Sequence, residues 1–183
     1  MGIDIVSQLT IMYLIMLQLR DLPSTEVLGK FAERYPDADI TAVSGFLHLL
    51  RVATDLSVAL DACLIKHGLL QGRWWVLILL MREDSKTSTP SALADKAGVT
   101  RATMTGLIDG LEQNNLVERI YTKNDRRSVL IMLTDAGQAK LDAVMPDYYR
   151  RLRKCMQALN EEKRMQLQQI LELINTGIPA LIK

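Results

Sequence analysis

Apolar side chains recur at three- and four-residue steps over much of the chain, which is the spacing of one face of an α-helix. The first run covers residues 5–19 and ends at the Asp-Leu-Pro of residues 21–23, because proline disfavours helical geometry in the residue before it. A second, short helix is predicted from a cap at Ser24 to about Tyr35, where Pro36 ends it. The pattern therefore predicts two helices before residue 37.

The longest helical pattern runs from Thr41 to His67, with a cap at Asp39 or Thr41 and a stop at Gly68. At 1.5 Å per residue, such a helix is about 40 Å long. A helix of that length exceeds what a small domain needs to cover its own core. It is therefore predicted to pack against a helix from a second copy of the chain, which favours a homodimer.

In the middle of the chain the pattern changes to a helix-turn-helix followed by a hairpin. Residues 69–83 are apolar nearly all round and predict a buried helix, while residues 84–90 (DSKTSTP) predict a loop. Two short helices are predicted over residues 90–97 and from Thr100 to about Asn114, around the turn AGVT. Residues 116–134 contain two runs rich in aliphatic and β-branched residues, separated by a charged turn, and predict a β-hairpin.

The last part of the chain returns to helical spacing. One long helix is predicted from Asp135 to about Ala158, interrupted or bent near Pro146. Another is predicted from a cap at Asn160 to Gly177.

This order of elements predicts a mainly α protein with a small β-hairpin wing, in which a winged helix-turn-helix lobe joins a helical dimerisation lobe. Residues 69–134 are the predicted DNA-binding lobe. Residues 1–68 and 135–183 are predicted to supply the helices for dimerisation.

The second helix of the helix-turn-helix has the features of a DNA recognition helix. Its apolar face packs on the first helix, which leaves Arg101, Ala102, Thr103, Thr105 and Gly106 toward solvent at its start. The predicted DNA contacts of this helix are Thr100, Arg101, Thr103 and Thr105. Threonine hydroxyls can donate to phosphate oxygens, and the arginine can bind phosphates or bases. However, residues 100–115 contain one arginine against two carboxylates, a net charge of −1. Most of the positive charge that DNA requires must therefore lie elsewhere.

The hairpin carries that charge. Residues 116–127 hold four cationic side chains against two carboxylates, a net charge of +2 gathered at the tip, whereas the whole chain is nearly neutral at +1. Arginine on a narrow ribbon suits the minor groove of double-stranded DNA. The predicted DNA contacts of the wing are Lys123, Asn124, Asp125, Arg126 and Arg127.

Two stretches of this region resemble the MarR (multiple antibiotic resistance regulator) family of bacterial transcription factors. They are LADKAGVTRATMTGLIDGLEQNNLVER and NDRRSVLIMLTDAG, which place the D-x-R-S and L-T-x-x-G motifs in order after the helix-turn-helix. The resemblance covers about residues 41–183. It implies a homodimer that pairs through its terminal helices, binds palindromic DNA and releases it on binding small phenolic compounds or on oxidation. By position, Asp125 and Arg127 match the family's wing aspartate and wing arginine.

The chain departs from the family pattern at several positions. Gly106 and Gly110 stand where relatives often have larger polar or basic residues, and Asn115 replaces a frequent glycine. A glycine inside a helix costs about 1 kcal/mol relative to alanine, so the recognition helix is predicted to be softer and to offer fewer side chains to bases. Residues 1–40 have no counterpart in the minimal family pattern.

A small aromatic effector is a further candidate partner. His48, Arg51, Trp74 and Trp75 are predicted to line a cleft between the dimerisation helices and the DNA-binding lobe. Adjacent residues on a helix point about 100° apart, so at most one of the two tryptophans is expected to face the cleft. The combined prediction is a homodimeric repressor that binds pseudo-palindromic DNA and leaves it when an aromatic ligand binds.

The cysteines and the basic run of the last long helix leave alternatives open. Cys63 and His67 lie four residues apart, so a redox-sensing thiol is an alternative to a buried, small apolar side chain. Residues 150–154 hold four cations, which are interpreted as a solvated or intersubunit ion-pair face. With only two cysteines and no apparent secretory signal, the chain is predicted to be cytoplasmic.

Other functional classes find little support in the sequence. It contains no glycine-rich phosphate loop, no H-E-x-x-H and no G-x-S-x-G, and two histidines with two cysteines do not form a closed zinc set. We therefore expect neither an enzyme nor a bound metal or cofactor, and no membrane partner. Two alternatives remain, a winged-helix module that binds another protein and a membrane-surface anchor in residues 1–20.

Overall fold

The computed structural model describes residues 21–121 and 129–182, in two compact units, Met1–Gly68 and Leu69–Lys183. The helix predicted over residues 5–19 lies outside the described residues. In the first unit, α1 spans Thr25–Arg34 and α2 spans Ile40–Ile65. The Ser24 hydroxyl accepts a hydrogen bond from the Val27 N–H at 3.3 Å, as a helix cap does.

Asp39 caps the long helix α2. Its Oδ1 accepts hydrogen bonds from the backbone N–H groups of Thr41 and Ala42 at 2.9 and 3.0 Å, and from the Thr41 hydroxyl. The Thr41 hydroxyl bond, followed by the Ala42 backbone bond, holds the pKa of Asp39 below its usual value. Because the folded state favours the charged carboxylate, this contribution to stability is present at neutral pH and is lost as the pH falls through the titration of the carboxyl group.

The apolar side chains of α2 are largely exposed. Phe46, Leu50 and Leu56 are among them, whereas Cys63 and Leu64 near its end are buried. Among the residues that the structure describes, α2 is the helix long and apolar enough to cross a membrane, judged by length and composition alone. A single helix of this kind is weak evidence for a membrane span, since helices of soluble proteins meet the same criteria.

The helix-turn-helix lies in the second unit. Helices α3 (Gln71–Met81), α4 (Pro90–Ala97) and α5 (Arg101–Glu112) pack together. Their fully buried side chains include Trp74, Leu77, Leu80, Leu93, Met104, Ile108 and Leu111. The Thr89 and Thr100 hydroxyls cap α4 and α5 by accepting hydrogen bonds from backbone N–H groups three residues on, both at 3.1 Å. The predicted helix-turn-helix is confirmed in these elements.

Three strands form one antiparallel sheet within the described ranges. They are β1 (Thr87–Ser88), β2 (Val117–Tyr121) and β3 (Val129–Leu133), in the order β1-β3-β2. β2 and β3 pair from Val117 opposite Leu133 to Tyr121 opposite Val129, which is the predicted hairpin. The loop predicted over residues 84–90 was wrong at β1, because a two-residue strand is too short to show any periodicity and forms only by pairing with β3.

Two helices follow the sheet, α6 (Asp135–Cys155) and α7 (Glu161–Gly177), and a 3₁₀ turn over Ile178–Leu181 comes after them. Of the predicted interruption or bend near Pro146, the interruption was wrong, since α6 continues through Pro146, and the bend stays a prediction; the helix ends at Cys155 rather than near Ala158. Proline removes one N–H group from the helix, but its fixed φ is compatible with helical geometry. No side chain of α7 is buried, and Leu173 is 72% exposed.

The junction between the hairpin and α6 is unusually close. The backbone N–H of Thr134 donates to the Leu116 carbonyl at 3.2 Å, and the Thr134 hydroxyl donates to the Asn115 carbonyl at 2.7 Å. A Cβ atom on Gly137 would overlap the Leu116 carbonyl oxygen and come within 2.7 Å of Leu133 Cδ1. The Thr and Gly of the L-T-x-x-G motif are therefore the cap and the contact point that join α6 to the wing.

Asn115, where the family pattern frequently has glycine, has a left-handed backbone with φ at 56°. Alanine pays a steric penalty in this region that asparagine relieves in part, so Asn115→Ala is expected to lower the free energy of unfolding by about 1 kcal/mol. Urea denaturation measures this change. Gln113→Ala is the matched control, because Gln113 is exposed and its backbone is right-handed. Equal stability of Asn115→Ala and Gln113→Ala would show that the left-handed backbone does not favour asparagine over alanine at position 115.

Candidate nucleic-acid interface

The start of α5 presents the predicted recognition residues on one side of the second unit. Thr100, Arg101 and Thr105 are exposed, and Thr103 is half-buried. The Thr105 hydroxyl donates to the Arg101 carbonyl at 2.9 Å, and the Thr100 and Thr103 hydroxyl oxygens lie 2.9 Å apart. These hydroxyls are thus hydrogen-bonded within their own helix. Only one of the Thr100 and Thr103 hydroxyls donates in the bond between them, so the O–H group of the other, the hydroxyl lone pairs and the Arg101 guanidinium could meet DNA without breaking a bond of the helix.

The predicted wing contacts Lys123, Asn124, Asp125, Arg126 and Arg127 lie outside the described residues. The strands that lead to them are described up to the paired residues Tyr121 and Val129.

Arg119 in β2 holds the wing to the recognition helix. Its Nη2 donates to Asp109 Oδ1 at 2.5 Å, and its Nη1 donates to Glu112 Oε2. The Arg119 side chain is only 21% exposed. The hydrogen bond to Asp109 is the main cause that raises the pKa of Arg119, with burial acting against it. Arg119 therefore remains charged and compensates the two carboxylates of the helix.

This ion-pair cluster corrects the charge distribution deduced from the sequence. By sequence position Arg119 adds to the positive charge of the hairpin, but its guanidinium is bound by Asp109 and Glu112. The recognition helix is therefore less acidic, and the hairpin less basic, than their separate charges indicate. The signal in the sequence is weak, since the two carboxylates share one face of α5 and face Arg119 only once the hairpin folds back.

Gly110 in α5 lies directly beneath an arginine of α3. A Cβ atom at Gly110 would lie 2.7 Å from Arg73 Cζ and 2.8 Å from its Nε. By contrast, a Cβ atom at Gly106 would have nothing within 4 Å. The departure from the family pattern at Gly110 thus has a structural reason that the sequence alone did not show, whereas the space around Gly106 is open.

The four candidate effector residues belong to different units. In the first unit, His48 Nδ1 lies 2.8 Å from the Ser44 carbonyl oxygen, and Arg51 Nε donates to Asp55 Oδ2 at 2.7 Å. In the second, Trp74 is fully buried with its ring 5.4 Å from that of Tyr148, whereas Trp75 is 39% exposed. Within the described chain, the buried indole Nε1 of Trp74 has no hydrogen-bond acceptor.

The two cysteines and the basic run of α6 lie outside the helix-turn-helix. Cys63 is buried and Cys155 is exposed. Arg150 and Arg151 both pair with Asp147, the latter at 2.8 Å, so the basic run of α6 includes ion pairs within its own helix. No group of three or more histidine, cysteine, aspartate or glutamate side chains is placed to hold a metal ion over residues 21–121 and 129–182.

The helix-turn-helix and the wing match a known family of proteins. The model of the MarR family matches residues 71–129, from α3 to the start of β3. The chain contains a MarR-family domain. The resemblance and the fold class deduced from the sequence are thereby confirmed, and this chain is a regulator of transcription rather than an enzyme.

Several transcriptional regulators are similar to this chain over most of their length. The transcriptional repressor YetL of Bacillus subtilis is 28% identical over 148 residues, which cover 81% of this chain and 89% of YetL. The transcriptional regulator PecS of Dickeya dadantii is 28% identical over 153 residues, 83% of this chain and 92% of PecS. Sco3205 of Streptomyces coelicolor, a MarR-family regulator solved in complex with DNA, is 25% identical with a TM-score of 0.67, over 72% of this chain and 84% of its own.

Proposed function

We propose that two copies of this chain bind a pseudo-palindromic DNA duplex and repress transcription until a small aromatic ligand releases them. The observation that carries the DNA-binding proposal is the recognition helix itself. Its start is exposed at Thr100, Arg101 and Thr105, while its two carboxylates are compensated by Arg119. The solved DNA complex of Sco3205 supports the same reading for this chain. Such a regulator acts in the cytoplasm, where the DNA is.

The proposed homodimer is supported by apolar side chains that each unit exposes on its helices. In the first unit they lie on α2, and in the second they lie on α7 and the 3₁₀ turn that follows it. They include Phe46, Leu50, Leu56, Ile170, Leu173, Ile174 and Leu181. Exposed apolar side chains in such number are typical of a surface that another chain covers. We assign residues 1–68 and 135–183 to dimerisation and residues 69–134 to DNA binding.

Two-fold symmetry sets the form of the DNA site. Two recognition helices that enter successive major grooves require half-sites about 10 base pairs apart, centre to centre. The arginines of the two wings, Arg127 first among them, would then reach the flanking minor grooves. Two neighbours in the turn, Asp125 and Arg126, would shape the turn or meet phosphates. The other proposed DNA contacts of the wing are Lys123 and Asn124.

The effector proposal rests on the exposed tryptophan of the second unit. Trp75 offers an indole face on which an aromatic ligand can stack. An aromatic ligand that binds the DNA-free arrangement better than the DNA-bound one would lower the affinity for DNA by linkage. Trp74 beside it is fully buried and packs against Tyr148, and His48 and Arg51, which belong to the first unit, stay predictions from the sequence. Quenching of tryptophan emission by salicylate or a related phenol, lost in Trp75→Phe, measures this binding.

Selection of bound sequences from a random duplex pool tests the proposed function. We expect enrichment of a two-fold symmetric sequence at low salt, and a weaker enrichment when phenols are added. No enrichment of any duplex at low salt would contradict the DNA-binding proposal and leave a protein-interaction module. Sedimentation of the full chain tests the dimer separately, and a monomer at the concentration used for selection would contradict it.

Replacing Arg127 by alanine is expected to weaken binding to the selected duplex and to flatten its salt dependence. Each phosphate that the variant no longer neutralises reduces the slope of log K against log salt by about 0.9. Titrations of labelled duplex at several salt concentrations measure the slope. Arg82→Ala, which removes an exposed arginine at the end of α3, controls for the change in net charge. An unchanged slope in Arg127→Ala would count against insertion of the wing.

A further inference from the structure

Arg73 has an unusual position for a charged side chain. It projects from the first turns of α3, and its guanidinium lies against the backbone of the recognition helix at Gly110, which is buried beneath it. In the part of the chain that the structure describes, Arg73 forms neither an ion pair nor a side-chain hydrogen bond. The recognition helix therefore has a cation beside it whose charge no neighbouring carboxylate compensates.

The position of Gly110 on α5 shows on which side of the recognition helix the Arg73 guanidinium lies. Seven residues separate Gly110 from Thr103, which at 100° per residue places the two positions about 20° apart around the helix axis. They therefore lie on one line along the helix, and Gly110 on this line is buried because Arg73 covers it, whereas Thr103 is half-buried. Arg73 thus lies at the far end of a line that begins at a predicted DNA-contacting residue.

The charges around α5 distinguish Arg73 from Arg119. Arg119 approaches α5 at Asp109 and Glu112 and is bound by both carboxylates, so it has little charge to offer to DNA. Arg73 approaches at a glycine, where the helix presents no side chain at all. With the two carboxylates compensated by Arg119, Arg73 and Arg101 are, over residues 21–121 and 129–182, the cations left beside this helix to balance DNA phosphates.

We propose that Arg73 binds a DNA phosphate beside the recognition helix, and that Gly110 is small so that the guanidinium can lie against the helix backbone. An arginine held against the helix in this way is already ordered before DNA binds, so its N–H groups can meet a phosphate with little further loss of side-chain freedom. Its guanidinium can also bind two phosphate oxygens at once. The proposal rests on the proposed DNA binding. It adds a phosphate contact from α3, in a position where the recognition helix supplies no side chain.

The test compares three variants of the full chain on the selected duplex over a range of salt concentrations. R73Q is expected to lower affinity about tenfold, as for removal of a hydrogen bond between charged groups. It is also expected to reduce the slope of log K against log salt by about 0.9 for each phosphate that is no longer neutralised. R73K is expected to keep most of the slope, because its charge remains. G110A keeps the charge of Arg73 but displaces the guanidinium, and it is expected to reduce the slope as R73Q does.

R82Q is the matched control, because it removes an equal charge from the other end of the same helix and is expected to leave the slope unchanged. The proposal is overturned if R73Q folds, as judged by its urea midpoint, and keeps the wild-type slope, even where its affinity is lower by a constant factor. Should R73Q fail to fold, G110A with a wild-type slope overturns it. Failure of the wild-type chain to bind any duplex would instead refute the proposed function.

Discussion

Gly137→Ala is expected to lower the free energy of unfolding by about 3 kcal/mol, at the upper end for an overpacked site. The added methyl group would overlap the Leu116 carbonyl oxygen and approach Leu133 Cδ1. Neither can move away readily, because the Leu116 carbonyl accepts the Thr134 N–H and Leu133 is paired in the sheet. Urea denaturation followed by circular dichroism measures the change.

Gly106→Ala is the matched control for this substitution. A methyl group there meets no atom within 4 Å, and the position lies inside an exposed stretch of helix. Alanine should therefore raise stability by about 0.5–1 kcal/mol. Two alanine substitutions in helices are thus expected to act in opposite directions. Equal effects of the two would show that the close junction between the wing and α6 does not constrain Gly137.

Arg119→Gln is expected to weaken DNA binding about a hundredfold, since like charges brought together at an interface cost several kcal/mol. The substitution leaves Asp109 and Glu112 uncompensated on the helix that must approach phosphates, and it releases β2 from that helix. Affinity for the selected duplex measures the effect. The hydrogen bond to Asp109 raises the pKa of Arg119, so the guanidinium of the wild-type protein stays charged.

A triple variant separates repulsion from loss of structure. Asp109→Asn and Glu112→Gln, added to Arg119→Gln, remove the negative charges that the single variant exposes. We expect the triple variant to recover most of the missing affinity, as the coupling between contacting residues requires. No recovery would assign the loss to displacement of the wing. Wild-type affinity in Arg119→Gln itself would contradict a role for the cluster in DNA binding.

The features that could be predicted from the sequence are those that depend on neighbouring residues. The caps at Ser24, Asp39, Thr100 and Asn160 are hydrogen bonds to backbone N–H groups two or three residues on. Their residue types and positions therefore indicate them directly. The helical periodicity and the alternation of the hairpin are local in the same sense, which is why the fold class could be predicted.

The features that could not be predicted depend on packing between distant elements. β1 exists only because Thr87 and Ser88 pair with β3, more than 40 residues away. The contact of Arg73 with Gly110 joins two helices that the sequence separates by a loop and a third helix. From the sequence, Gly110 indicates only a softer helix, because nothing local shows which side chain occupies the space. The DNA contacts of the wing tip remain predictions.

The close junction at Gly137 also couples movements of α6 to movements of the base of the hairpin. Thr134 is bonded to Asn115 and Leu116 at one end and caps α6 at the other. No free linker separates the hairpin from the helix, because α6 begins two residues after β3 ends. A rotation of α6 would therefore move the base of the hairpin with it as one rigid body.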